Sequence, residues 1–288
     1  MAAEQLLRDG KVDEALAQLT QQVRANPSDA KLRTFLFQLL AVQGQWQRAL
    51  TQLSTAGELD AATLAMVQMY REAIGCELLR AEIFAGKRSP VLFGQPDEWL
   101  ALLTESLRLL ASGNHEQAGE LRSRAFDAAP TTSGTLTLET RHGGGEPETR
   151  AAPFEWLADA DPRLGPVCEA VFSGRYYWVP FSRIRSIVLE RPEDLRDFVW
   201  MPVHFVWANG GDTVGLIPTR YPGSENSADP LVKLARKTEW SEEAPQAALG
   251  LGQRMLATDA GEYALMDVRR IDLNVESTTT EEAGGDHG

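Results

Sequence analysis

Four positions near the start of the chain come back later, and they set its architecture. Gly10, Val12, Ala15 and Leu19 recur as Gly44, Trp46, Ala49 and Leu53, each displaced by 34 residues. A small Ala lets two helices approach closely, and a large apolar side chain one turn later fills the gap beside it. A Gly at the turn ends the first helix in a left-handed conformation that other residues resist. Pro27 stops the second helix of the first unit, because it lacks the N–H that another turn would need. The pattern predicts two stacked helical hairpins.

That period is the length of a tetratricopeptide repeat. A third copy fits Gly113, Ala118, Ala125 and Pro130, one residue out of phase. One turn after Ala118 stands Arg122 rather than an apolar residue, which suits a terminal repeat with a wetted outer face. Residues 60–84 lack the signature and read as a degenerate helix pair that continues the stack. Residues 85–96, punctuated by Gly86, Pro90, Gly94 and Pro96, read as a loop, after which Asp97 opens another helix. Stacked hairpins make surfaces rather than active sites, so the expected role is a scaffold or adaptor.

Composition changes at Thr131. Residues 131–152 are rich in Thr, Gly and Glu, and read as a linker with one short strand near 135–140. Gly143-Gly144-Gly145 is a poor host for regular structure. Beyond it, Arg175 to Pro180 and residues 184–190 are dense in aromatic and β-branched side chains, as strands are. Asn209-Gly210-Gly211-Asp212 and Asp259-Ala260-Gly261-Glu262 read as hairpin turns. Asp161-Pro162 carries the signature of a helix start, running to Gly174, and a second short helix is expected over 229–237. The fold class expected is α+β and multidomain. A tetratricopeptide-like superhelix over 1–130 and a linker over 131–152 precede a small, partly closed β-barrel over 153–274. An acidic, disordered tail over 275–288 follows.

Charge excludes some partners. Among 288 residues, 41 acidic side chains outweigh 28 basic ones, a net of −13. Nucleic acid and anionic membrane surfaces both reward the opposite sign. No apolar run approaches the roughly 20 residues that cross a bilayer, and no leader pattern follows Met1, so a cytoplasmic protein is expected. Cys76 and Cys168 lie far apart without paired spacing and read as reduced thiols.

Candidates for chemistry are few. Asp159 and Asp161 are two carboxylates in acid–base or cation-binding proximity, though a capping role for Asp161 is the plainer reading. His115, His142, His204 and His287 share no zinc-ligand spacing, and no cofactor or metal is expected. His204 stands alone within a strand. Neither a nucleophile elbow nor a P-loop is present, and no dinucleotide-binding Gly pattern follows a strand. The aromatic run Arg175-Tyr176-Tyr177-Trp178 puts large side chains on both strand faces. Such a strand is either buried on both sides or offers an anchor surface, with Arg175, Tyr177 and Trp178 as the candidates.

Several longer strings resemble the ImpE family, also called SciE or TagJ. They are FEWLADAD (154–161), RLGP (163–166), GRYYWVPF (174–181), DLRD (194–197), IPTRYPGS (217–224) and GLGQRM (250–255), with RSP (88–90) and Trp99 upstream. The resemblance spans roughly residues 4–273 and leaves the tail outside. It implies an accessory component of a bacterial type VI secretion system, with no catalytic residues to transfer. It further implies an adaptor that binds the N-terminal helix of the small sheath subunit and is linked to the AAA+ ATPase that dismantles contracted sheaths.

Two functional readings follow. As a non-enzymatic adaptor, the chain would hold a partner helix along its repeat, with Lys31, Thr34 and Gln38 of the second hairpin facing the groove. As an enzyme, it would need Asp159, Asp161, Arg175 and His204 to converge on one cleft. The two differ in an observable way, namely whether those four side chains meet.

Overall fold

The 34-residue period folds into two hairpins. The computed structural model describes residues 2–95, 97–140, 146–244 and 247–276. Helices α1 (Ala2–Arg8) and α2 (Val12–Ala25) form the first hairpin, α3 (Ala30–Val42) and α4 (Trp46–Leu59) the second. Ala15, Leu19, Ala49 and Leu53 are completely buried where the helices meet, as the repeat requires. Gly10, Gly44 and Gly113 all take positive φ, between +66° and +82°. Asp29 caps α3 by accepting from the amides of Lys31 and Leu32 at 2.9 and 3.0 Å.

The expected degenerate pair over 60–84 is instead one 3-10 turn followed by a single helix, α5 (Leu64–Phe84). Most of its residues are good helix formers (Ala, Leu, Met, Gln, Glu, Arg), and nothing crowds the space above Gly75. Helices α6 (Glu98–Ala111) and α7 (His115–Ala128) form the third hairpin. The expected loop between α5 and α6 contains a two-residue strand, β1 (Val91–Leu92). It pairs in parallel with residues 177 and 178 and so stitches the helical half to the sheet.

The second half is built on strands β2 (Gly134–Thr140), β3 (Glu148–Phe154), β4 (Leu157–Asp159), β5 (Val167–Phe172), β6 (Arg175–Pro180) and β7 (Ile184–Leu189). They continue as β8 (Trp200–Trp207), β9 (Asp212–Pro218), helix α8 (Pro230–Lys233), β10 (Thr238–Ala244) and β11 (Ala247–Gly252). The last are β12 (Met255–Thr258), β13 (Gly261–Ala264) and β14 (Val268–Leu273). The stretch read as a linker therefore holds two ladder strands. The triple glycine at 143–145 and tail residues 277–288 lie outside the described residues.

No barrel closes. The main sheet is open, in the order β1-β6-β5-β9-β8-β7-β14-β2-β3, with β1 and β3 at its two edges. One face packs on the helices: Val167, Tyr176, Trp178 and Trp200 share a core with Leu19, Phe37, Leu40 and Ile74. The other face, with Val179, Ile187, Phe205 and Ile271, is covered by Leu157 and Leu256 of a small second sheet, β13-β12-β4. Covering by a second layer removes the need for the edges to meet. The expectation of a barrel fails because strand patterning reports buried faces, not how they are covered.

The helix expected from Asp161 to Gly174 is also absent; that stretch is a turn followed by β5. Residues 167–171 are all buried, so the strand shows neither alternation nor helical spacing, a known ambiguity of short apolar runs. Gly165 explains the turn, having φ +52° and Phe126 of α7 against it, where a Cβ would come within 2.4 Å of the ring. Gly165→Ala is expected to lower stability by about 1–3 kcal/mol through backbone strain and the displaced ring. Denaturant titration reading less than about 0.5 kcal/mol would show that the turn is not so constrained.

Candidate functional site

A concavity lies where the repeat meets the β half. It is a cleft of about 810 Å³ with α1 and α3 on one side and the 3-10 turn Leu195–Phe198 on the other. Half-buried Leu32, Phe35, Leu195 and Phe198 supply its apolar surface. It arises because α1 and α3, the first helices of successive hairpins, line the same side of the stack. Lys31, Thr34 and Gln38 all border it.

Those three residues do different things. Lys31 is exposed at the rim. Thr34 is half-buried and donates its hydroxyl to the Ala30 carbonyl at 2.9 Å. Gln38 is buried, and its side-chain oxygen accepts from the Leu195 amide at 3.0 Å. Gln38 thus fastens the far wall to α3 rather than facing outward.

The strand candidates also separate. Arg175 is exposed and Tyr177 half-buried, stacked on Phe172 at 4.3 Å between centroids. Trp178 is wholly inside the core, its indole N–H donating to the Tyr176 hydroxyl at 2.8 Å. It offers no surface for a partner, and the strand is buried on both sides.

Between α5 and the sheet, charged groups meet in the interior. Glu169 of β5 accepts from Arg80 of α5 at 2.6 and 2.9 Å, from the Tyr176 hydroxyl and from Arg254. Arg254 also pairs with Asp159, whose other oxygen accepts from the Tyr221 hydroxyl at 3.1 Å. Burial alone would raise the Glu169 carboxyl, but Arg80 and Arg254 outweigh it and hold it at about 2. Asp159 goes the other way: burial dominates over Arg254 and lifts it to about 6. Each guanidinium has further acceptors, Arg80 on the Arg220 carbonyl and Arg254 on the Pro218 carbonyl, both at 2.9 Å.

Arginines also cap the repeat from the β half. Arg220 donates to the Val42 carbonyl at 2.8 Å, closing the end of α3, and to the Lys233 carbonyl at 2.5 Å. Arg236 donates to the Leu7 and Arg8 carbonyls at 2.9 and 3.2 Å, closing α1. These are the carbonyls a helix leaves unpaired at its last turn. The two halves are thereby held as one body.

The four residues of the enzymatic reading do not meet. Asp159 is committed to Arg254 and Tyr221, and also accepts from the Asp161 amide at 2.9 Å. Asp161 binds Arg163 and accepts from the Gly250 amide at 2.8 Å; it caps a turn, since no helix follows it. His204 contacts Asp212 at 2.8 Å where both side chains are exposed, and Arg175 stands exposed at the start of β6. His115 begins α7, and its Nδ1 is buried without a partner. His142 and His287 lie outside the described residues.

Comparison with known proteins agrees with this architecture. The chain is 53% identical, over 95% of its length and 91% of the relative's, to the type VI secretion system accessory component TagJ of Pseudomonas aeruginosa. The chain belongs to the ImpE/TagJ family. The model for ImpE protein matches residues 151–272, and that for a tetratricopeptide repeat matches residues 6–74. A crystal structure of protein VPA1032 from Vibrio parahaemolyticus shares the fold, with a TM-score of 0.82 at 24% identity, over 96% of this chain and 98% of that one. In this family member, the strings that carry the resemblance supply most of the buried cluster: Asp159, Asp161, Tyr176, Arg220, Tyr221 and Arg254. Sequence reasoning missed Arg80 and Glu169. The signal was present as a lone charge inside an apolar run, Val167-Cys168-Glu169-Ala170-Val171.

Proposed function

We propose that this ImpE-family chain is a non-catalytic adaptor of a type VI secretion system, working in the cytoplasm. It holds a helix of the small sheath subunit in the cleft beside α3 and links the sheath to its disassembly ATPase. The observation that carries this reading is the cleft itself, apolar within and charged at its rim, on the side of the stack where repeat proteins present their binding surface. Family membership supplies the secretion context. The strapping of both halves by Arg80, Arg220 and Arg236 supports a rigid presenter, since a preformed groove saves ordering entropy when a helix docks.

Filling the cleft tests the reading. Thr34→Trp puts an indole where the partner helix would lie and is expected to weaken binding of the sheath subunit's first helix about tenfold or more, equivalent to at least ~1.4 kcal/mol. Lys31→Ala, at the exposed rim, is expected to cost about 1 kcal/mol or less. Fluorescence polarisation with a labelled peptide measures both, with circular dichroism confirming folding. Unchanged affinity in a folded Thr34→Trp protein would remove the cleft as the docking site.

A further inference from the structure

Helix α5 keeps one side out of the core. Val67, Tyr70, Ile74 and Ile83 bury its inner side against the repeat and the sheet. Arg71, Gly75, Leu78 and Glu82 are all exposed. Their spacings of four, three and four residues put them in one line along the helix, since each step is close to a full turn. Two of the four are out of place on a wetted surface. Leu78 leaves 50% of its surface in solvent. Gly75, in the middle of α5, weakens a helix that Ala would strengthen. Beyond its own helix backbone and chain neighbours, no atom lies within 4 Å of where its Cβ would stand. Crowding within the chain therefore does not call for the glycine.

The line has the same spacing in both directions, with complementary chemistry. Turned end for end it runs Glu82, Leu78, Gly75, Arg71. A second α5 laid antiparallel on the first sets Arg71 against Glu82 and Gly75 against Leu78, and the twofold axis repeats both contacts. A large side chain then fills the gap left by a missing one, and opposite charges face each other at both ends. A parallel pairing would set Arg71 against Arg71. Glu82 lies 3.5 Å from Arg88 of its own chain, and both side chains are exposed, which leaves the carboxylate open to a further cation.

We propose that two copies of this chain pair antiparallel through the outer face of α5. The seam is centred between Gly75 and Leu78. It begins eight residues past Thr63 at the edge of the cleft, about 12 Å along the helix, and so is a surface separate from the cleft. One pair of helices is a small contact, and the dimer is correspondingly weak, with a Kd of about 10–100 μM. The proposal does not rest on the adaptor reading.

Sedimentation equilibrium of the full chain, from about 5 to 300 μM, brackets that affinity and tests it. Arg71→Glu and Glu82→Arg are each expected to weaken self-association about tenfold or more in low salt, because each turns two attractive pairs into two repulsive ones. Mixed in equal amounts, the two variants are expected to form a heterodimer, since both pairs become Glu against Arg again. Gly75→Gln, which favours the helix, is expected to keep its circular dichroism spectrum and lose the dimer by filling the gap. A wild-type chain that stays monomeric throughout overturns the proposal. So do charge variants that self-associate as the wild type does, an equal mixture that fails to pair, or a Gly75→Gln protein that dimerises normally. Each of these results leaves the adaptor reading standing.

Discussion

Glu169→Gln is expected to lower the unfolding free energy by about 3–5 kcal/mol, the cost of leaving buried charges without their counter-ion. The amide keeps the shape of the carboxylate but not its charge, so Arg80 and Arg254 remain in the interior facing a neutral group. Arg254 retains Asp159, whereas Arg80 is left with Glu77 at 3.4 Å and the Arg220 carbonyl. The loss falls on the seam between α5 and the sheet. Urea titration measures it, and a loss below about 1 kcal/mol would mean that water reaches the cluster.

The pH dependence of that loss has a definite sign. The Glu169 carboxyl is held at about 2 against a usual 4.5. Its stabilisation is therefore complete above pH 4.5 and is lost as pH falls toward 2. The gap between wild type and Glu169→Gln should accordingly be widest near neutrality and narrow below pH 4.5. Asp159 contributes the opposite slope. Raised to about 6 from 3.8, it stabilises fully below 3.8 and ceases to as pH rises through 6. That term is present in both proteins and largely cancels in their difference. A gap independent of pH would show that Glu169 acts by packing rather than by charge.

Trp200→Ala is expected to cost a similar amount, about 3–5 kcal/mol, for a different reason. The ring is fully buried between the halves, 5.9 Å from Trp46 and 5.6 Å from Tyr70, centroid to centroid. Its indole N–H donates to Glu77 at 3.1 Å, whose carboxyl burial pushes up. Truncation opens a cavity and leaves an acceptor without its donor, two losses that add. Trp156→Ala is the comparison: with 40% of its surface exposed, that residue should lose about 1 kcal/mol or less. Equal losses at the two positions, by denaturant titration, would contradict the packing argument.

Much of the helical half could be read directly from the residues. Local rules govern it: Gly10 and Gly44 mark turns, Ala15 and Ala49 mark close approach, and Asp29 caps α3. Helical periodicity depends on neighbours within a few residues, so a single sequence carries it. The two β-hairpin turns were legible for the same reason, and the longer strings pointed to the family. Where the local pattern was silent the reading failed, at residues 60–84 and at β5, whose buried run shows no period at all.

What only the tertiary structure decided is which distant residues meet. Nothing local ties Arg80 to Glu169, 89 positions on, or Arg220 to the end of α3, 178 positions back. Contacts of that kind, Gln38 with Leu195 among them, set the far wall of the cleft, turn Gln38 from a groove-facing candidate into a strap, and scatter the four side chains of the enzymatic reading. They also decide that the sheet is covered rather than closed, because helices take one face and the small sheet the other. The sequence determined the repeat hairpins and the β-hairpin turns, since these follow from neighbours along the chain. Their assembly followed from burying two sheet faces at once, a condition that exists only when the whole chain is folded.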